Sequence, residues 1–186
     1  MMLSSEEKDL LLRIARQNIS ACLRGGEPPE YNITSGTLCE EGRGAFVSLY
    51  IGKELRGCIG SFGSPAPLYE TISNMAVAAA TTDPRFEPLT PSELMATVIE
   101  ISVLTPMKKI GDVSEVEVGR HGLYIVKGEQ KGVLLPQVAT EQRWVRDEFL
   151  DHTCVKAGME PGDWKEDGAE IYTFEADIMK EERKSI

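Results

Sequence analysis

Three observations predict an α+β fold with an antiparallel or mixed sheet. Runs with the period-two pattern of strands and runs with the 3.6-residue pattern of helices both occur. They do not follow the strict strand-helix-strand alternation of a parallel sheet. Two pairs of strand-like runs are joined by short glycine-containing turns, which marks hairpins. A chain of 186 residues is long enough for one domain with its own core, or for two small lobes sharing an interface.

The first element is a helix. Ser4 or Ser5 precedes Glu6 and Glu7, and Leu10, Leu11, Leu12, Ile14, Ala15, Ile19 and Leu23 follow at helical spacing. A serine hydroxyl satisfies orphan N–H groups at a helix start, and acids suit the positive end of the dipole. Gly25-Gly26 stops the helix, and Glu27-Pro28-Pro29 is a loop. Ala45 to Ile51 is a strand rich in β-branched and aromatic residues. Gly52-Lys53-Glu54 turns, and Leu55 to Ile59 returns as its partner. Ser64-Pro65-Ala66-Pro67 opens a second helix, Leu68 to Thr81, whose alanines at 76, 78, 79 and 80 permit close packing. Asp83-Pro84-Arg85-Phe86 breaks it.

Pro91 to Leu94 reads as a helical turn, and Thr97 to Thr105 as a strong strand. Asp112 to Val118 reads as a short helix or a loop. Gly122 to Val126 and Lys131 to Leu135 form a second hairpin around Lys127-Gly128-Glu129-Gln130, ended by Pro136. Thr140 to Ala157 reads as one helix, with Trp144, Val145, Phe149 and Leu150 on one side and Gly158 as its stop. Glu170 to Ile178 is the last strand, followed by a charged tail from Lys180 to Ile186. No internal repeat or low-complexity linker interrupts the chain.

Composition narrows the class. Apolar residues make up 41% and charged residues 27%, which is globular rather than disordered. The formal charge of −10 repels phosphate backbones and weighs against nucleic-acid binding. The four cysteines, Cys22, Cys39, Cys58 and Cys154, are widely spaced with no C-x-x-C pair, so reduced thiols in a cytoplasmic setting are expected. The opening Met-Met-Leu-Ser-Ser-Glu-Glu-Lys does not read as a signal peptide. The stretch poorest in charge, about Leu68 to Thr82, is too short and too polar to span a bilayer, so no membrane partner is expected.

Chemistry concentrates in Leu55-Arg56-Gly57-Cys58-Ile59-Gly60. Gly57 and Gly60 let the backbone approach a ligand or take unusual angles. Arg56 and Cys58 are two apart, so on a regular strand they share a face, where the guanidinium would favour the thiolate. The competing reading is a buried cysteine beside an ordinary ion-pairing arginine. Arg85, held on a stiff Asp-Pro loop, is a candidate anion clamp, or else a surface residue of a helix-ending turn. Glu100 lies in mid-strand, either solvated or paired with Cys58 or Arg56 as a base or charge partner. Gln137 and Glu141, four apart, face one cleft if a helix begins there; a plain strand-to-helix junction is the alternative. His121 and the His152/Cys154 pair are too few for a zinc site, so no metal is expected. No glycine fingerprint for a nucleotide is present.

Leu55 to Gly60 resembles the signature hexapeptide of the AMMECR domain family. Asp83-Pro84-Arg85-Phe86 with Pro88-Leu89-Thr90, Glu100 to Pro106, Gly119-Arg120-His121-Gly122-Leu123 and Leu134 to Ala139 resemble its later blocks in order. The helix around Trp144, Cys154 to Gly158, and Trp164 complete the series, so the resemblance covers nearly the whole chain. It implies two unequal α+β lobes on antiparallel or mixed sheets with flanking helices, and the hexapeptide near a cleft. It assigns no biochemical activity and no cofactor. It implies Memo-type and radical-SAM proteins as associates in a modification or redox pathway.

Three functions are compatible with these residues. In the first, an enzyme, Cys58 is a nucleophile or an acyl or alkyl carrier, Arg56 steadies the thiolate or clamps an anion, and Glu100 or His121 moves a proton. In the second, a binding module, the same hollow grips a small molecule or a protein without turnover, with Gly57, Gly60, Arg85, His121, Gln137 and Glu141 as contacts. In the third, a nucleic-acid accessory role, the acidic charge is a standing objection.

Overall fold

The computed structural model describes residues 3–34 and 36–182. The chain divides into two compact units, Met1–Leu104 with Asp177–Ile186, and Thr105–Ala176. The fold class is α+β, as the sequence predicts. The strand pairings described within each unit are antiparallel.

The first unit contains α1 (Ser5–Leu23), β1 (Ala45–Ile51), β2 (Glu54–Ser61), α2 (Leu68–Thr81), α3 (Pro91–Ala96) and β3 (Thr97–Leu104). Helix α1 starts where expected because Ser4 and Glu7 form a reciprocal box, each side chain accepting the other's backbone N–H. Thr90 and Glu93 repeat the device at α3. The sheet order is β2-β1-β3. Strand β1 alternates, with Ala45, Val47 and Leu49 buried and Phe46, Ser48 and Tyr50 half-buried. The buried set meets α1 and α2 in a core that includes Leu11, Ile14, Ile19, Leu68, Ile72, Ile99 and Ile101, all fully buried. Each such side chain removed from water contributes about 1.5–3 kcal/mol before the entropy of ordering it. The face of β1 turned away from this core carries the half-buried set.

The hairpin between β1 and β2 is not regular. Leu49 pairs with Gly57 but Tyr50 pairs with Leu55, leaving Arg56 as an extra residue in a β-bulge. Gly57 thereby faces α2, so closely that a Cβ there would lie 2.1 Å from the Ala79 carbonyl oxygen.

The second unit contains β4 (Lys108–Ile110), β5 (His121–Lys127), β6 (Gln130–Leu134), α4 (Pro136–Gln142), α5 (Arg146–Lys156) and the first part of β7 (Ala169–Lys180). Tyr172 of β7 pairs with Lys109 on one side and Tyr124 on the other, giving the order β4-β7-β5-β6. Phe149, Leu150 and Cys154 of α5 pack with Leu123 and Ile125 to form this unit's core. The end of β7 belongs to the first unit, where the Glu181 N–H donates to the Ile99 carbonyl at 2.9 Å.

Several details differ from the sequence reading. The helix expected over Thr140 to Ala157 is two helices, because Arg143 turns left-handed (φ 58°) and ends α4. Helix α4 begins earlier, at Pro136, where a missing N–H costs nothing. Val145 is exposed rather than on the apolar side. Strand β4 was not expected at all, whereas Asp112 to Val118, read as a short helix or a loop, holds one 3-10 turn, Val113–Glu115. Lys180, expected in the tail, is the last residue of β7, and positions 183–186 of that tail lie outside the described residues.

Candidate functional site

The bulge decides which way Cys58 points. Counted back from the turn without it, Gly57 would oppose Ser48, and Cys58 would enter the helix-packed core. With one residue inserted, Cys58 opposes Ser48, and Ser48 in turn opposes Glu100 on β3. A row of Cys58, Ser48 and Glu100 therefore crosses the sheet on the face away from α1 and α2. The Ser48 hydroxyl donates to Cys58 Sγ at 3.1 Å. Cys58 is half-buried. Glu100 receives a hydrogen bond from Lys180 Nζ at 3.0 Å, and that ammonium lies 4.6 Å from the Tyr50 ring centre.

Strand β2 is the outer strand of its sheet in this unit, and its outward backbone groups at Cys58 are satisfied by the loop after α2. Asp83 Oδ2 accepts the Cys58 N–H at 2.8 Å, and Arg85 Nη2 donates to the Cys58 carbonyl at 3.1 Å. Two side chains thus reproduce what a neighbouring strand would offer. Asp83 is almost fully buried and grips Arg85 through Nε and Nη2 at 3.0 and 2.7 Å. The Arg85 guanidinium, then the backbone N–H of Cys58, hold the Asp83 carboxyl well below the usual carboxylate range. Arg85 is raised in return, chiefly by Asp83, with the Cys58 thiol adding to the effect.

Arg56 is occupied elsewhere. Its guanidinium bonds Glu93 Oε1 at 3.1 Å and Oε2 at 3.4 Å, and the carbonyls of Glu87 and Pro88 at 2.7 and 3.4 Å. It ties β2 to the segment leading into α3. The Thr90 N–H and hydroxyl, then Arg56, hold the Glu93 carboxyl down at about 2.

The expected site residues separate into two groups. Cys58, Arg56, Gly57, Gly60, Arg85 and Glu100 lie in the first unit, and His121, Gln137 and Glu141 in the second. A side chain at Gly57 would strike α2, and one at Gly60 would enter the Phe46 ring at 2.2 Å, so both glycines make room for protein packing. His121 Nδ1 accepts the Glu117 N–H at 3.1 Å. Gln137 is half-buried with Oε1 unpartnered among the described residues, and Glu141 is exposed. His152 stacks on Trp144 at 3.9 Å, whereas Cys154 is in the core, where burial pushes its thiol up.

Sequence reasoning missed Ser48 as a site residue, and it took Asp83 only as a helix breaker. Ser48 had a signal, being the one small polar residue in an otherwise apolar and aromatic strand, but its position opposite Cys58 depends on the bulge.

Comparison with known proteins agrees with the sequence blocks. The chain matches the AMMECR1 family over residues 12–179. A protein of Methanopyrus kandleri is 44% identical, the match covering 97% of this chain and 91% of that one. A Thermococcus onnurineus protein is 43% identical over 97% of this chain and 93% of its own. The crystal structure of an uncharacterized protein from Pyrococcus horikoshii superposes with a TM-score of 0.87 and 38% identity, covering 97% of this chain and 94% of that chain. Among the described residues, no helix is long and apolar enough to cross a membrane.

Proposed function

The chain belongs to the AMMECR1 family, and from that premise we propose that it is a thiol-dependent protein in which Cys58 is the nucleophile or group carrier. The Ser48 hydroxyl donating to Cys58 Sγ at 3.1 Å, on a half-buried residue facing away from the helical core, carries this reading. The thiolate is the reactive form of a cysteine, and this hydroxyl is placed to donate to the sulfur as it reacts. Arg85, rather than Arg56, is the guanidinium joined to the Cys58 backbone, and it is the cation of this site. Glu100, next in the row beyond Ser48, is its carboxylate. Arg56 holds the site's frame through Glu93. A carrier thiol is also a suitable part for a modification pathway shared with Memo-type and radical-SAM proteins.

The test is alkylation of the native chain with iodoacetamide at neutral pH, read cysteine by cysteine by mass spectrometry. Cys58 should label faster than Cys22, although Cys22 is exposed, and Ser48→Ala should slow Cys58 alone. Labelling of Cys22 well ahead of Cys58 would sink the proposal.

A further inference from the structure

Arg85 has donors to spare. Its Nε and Nη2 are taken by Asp83 and the Cys58 carbonyl, while Nη1 has no hydrogen bond among the described residues. The side chain is 56% exposed. Asp83 fixes the guanidinium plane with two contacts, so a ligand meeting it spends little ordering entropy. The guanidinium is held at the residue that carries the thiol, with Nη2 3.1 Å from the Cys58 carbonyl oxygen.

We infer that Arg85 Nη1 docks the carboxylate of a small electrophilic substrate whose reacting carbon is presented to Cys58 Sγ. This rests on the thiol reading above and adds the substrate's charge class to it. A singly charged carboxylate fits better than a phosphate. Asp83 already offsets much of the guanidinium charge, and the other ionisable chain on this loop, Glu87, is acidic and exposed.

Iodoacetate and iodoacetamide separate the two claims, because they share a reacting carbon and differ in the carboxylate. In both, the S–C bond forms as the C–I bond breaks, iodide leaves with the electron pair, and the thiol proton passes to buffer. For the native chain, the iodoacetate-to-iodoacetamide rate ratio at Cys58 should exceed that at Cys22 by about fivefold or more. Arg85→Gln should bring the two ratios together, Arg85→Lys should keep part of the difference, and acetate should lower the ratio at Cys58 in the unmodified chain. Equal ratios at Cys58 and Cys22, or a high ratio at Cys58 that neither acetate nor Arg85→Gln lowers, would overturn the inference and leave the thiol reading intact. A Cys58 inert to both reagents would overturn both.

Discussion

Asp83 Oδ2 accepts the backbone N–H of Cys58 at 2.8 Å from a position 25 residues further along the chain. The bond closes an exposed strand edge at the residue that carries the sulfur. Its partner Arg85 closes the adjoining carbonyl, so the loop that ends α2 fixes the backbone of the proposed nucleophile. Asp83→Ala removes a buried carboxylate that accepts four N–H groups, from the backbones of Cys58 and Arg85 and from Arg85 Nε and Nη2. It should lower stability by about 1–3 kcal/mol, measured by urea unfolding. It should also increase hydrogen exchange at the Cys58 amide more than at the Val47 amide of the central strand β1. Unchanged exchange at Cys58 would mean the clip has no hold on the strand.

The clip also shows where legibility in the sequence ended. Helix α1, the β1–β2 hairpin and the β5–β6 hairpin were readable, because capping residues, turn glycines and period-two patterns act over a few positions. The bulge at Arg56 was not, since nothing local distinguishes an inserted residue from a paired one until the facing strand is in register. That one residue decides whether Cys58 enters the core or faces Ser48. Arg56, expected beside Cys58, turns to Glu93 for the same reason, and Arg85 is the guanidinium that bonds the Cys58 carbonyl: which carboxylate each meets, Glu93 or Asp83, depends on tertiary packing. The break at Arg143 escaped notice because an arginine in the left-handed region carries no sequence signature.

Gly57 should be the least replaceable glycine of the hexapeptide. Gly57→Ala places a methyl 2.1 Å from the Ala79 carbonyl oxygen, and backbone must move to admit it. The expected loss is about 1–3 kcal/mol, the range for overpacking. Gly111→Ala, where a Cβ meets nothing within 4 Å and φ is not positive, is the control and should stay within about 0.5 kcal/mol. Thermal melts of the two variants side by side test the packing role.

Arg143 offers a change in the opposite direction. At φ 58° its Cβ crowds its own backbone, a cost that glycine avoids. Arg143→Gly gives back part of that gain through the larger backbone entropy of the unfolded chain. A net stabilisation of about 0.5–1 kcal/mol is expected, as a rise in the denaturation midpoint with the slope unchanged.

Arg56 and Glu93 give the pH dependence. Glu93 is held at about 2 in the folded chain against an ordinary 4.5, so its contribution to stability is fully present above about 4.5. It is lost as pH falls from there through about 2. Asp83, also lowered, loses its contribution over a window reaching further into acid. The urea midpoint should therefore fall steadily between pH 4.5 and 2, and Glu93→Gln should flatten that fall. Arg56→Ala leaves the carbonyls of Glu87 and Pro88 without this donor and breaks the ion pair. It should cost about 1–3 kcal/mol near neutrality. Its effect on Cys58 distinguishes a frame from a chemical partner. If Arg56 only holds β2 to the segment before α3, the pH profile of Cys58 alkylation stays the same in the folded variant. A profile displaced to higher pH by Arg56→Ala but not by Arg85→Gln would return the cation's role to Arg56.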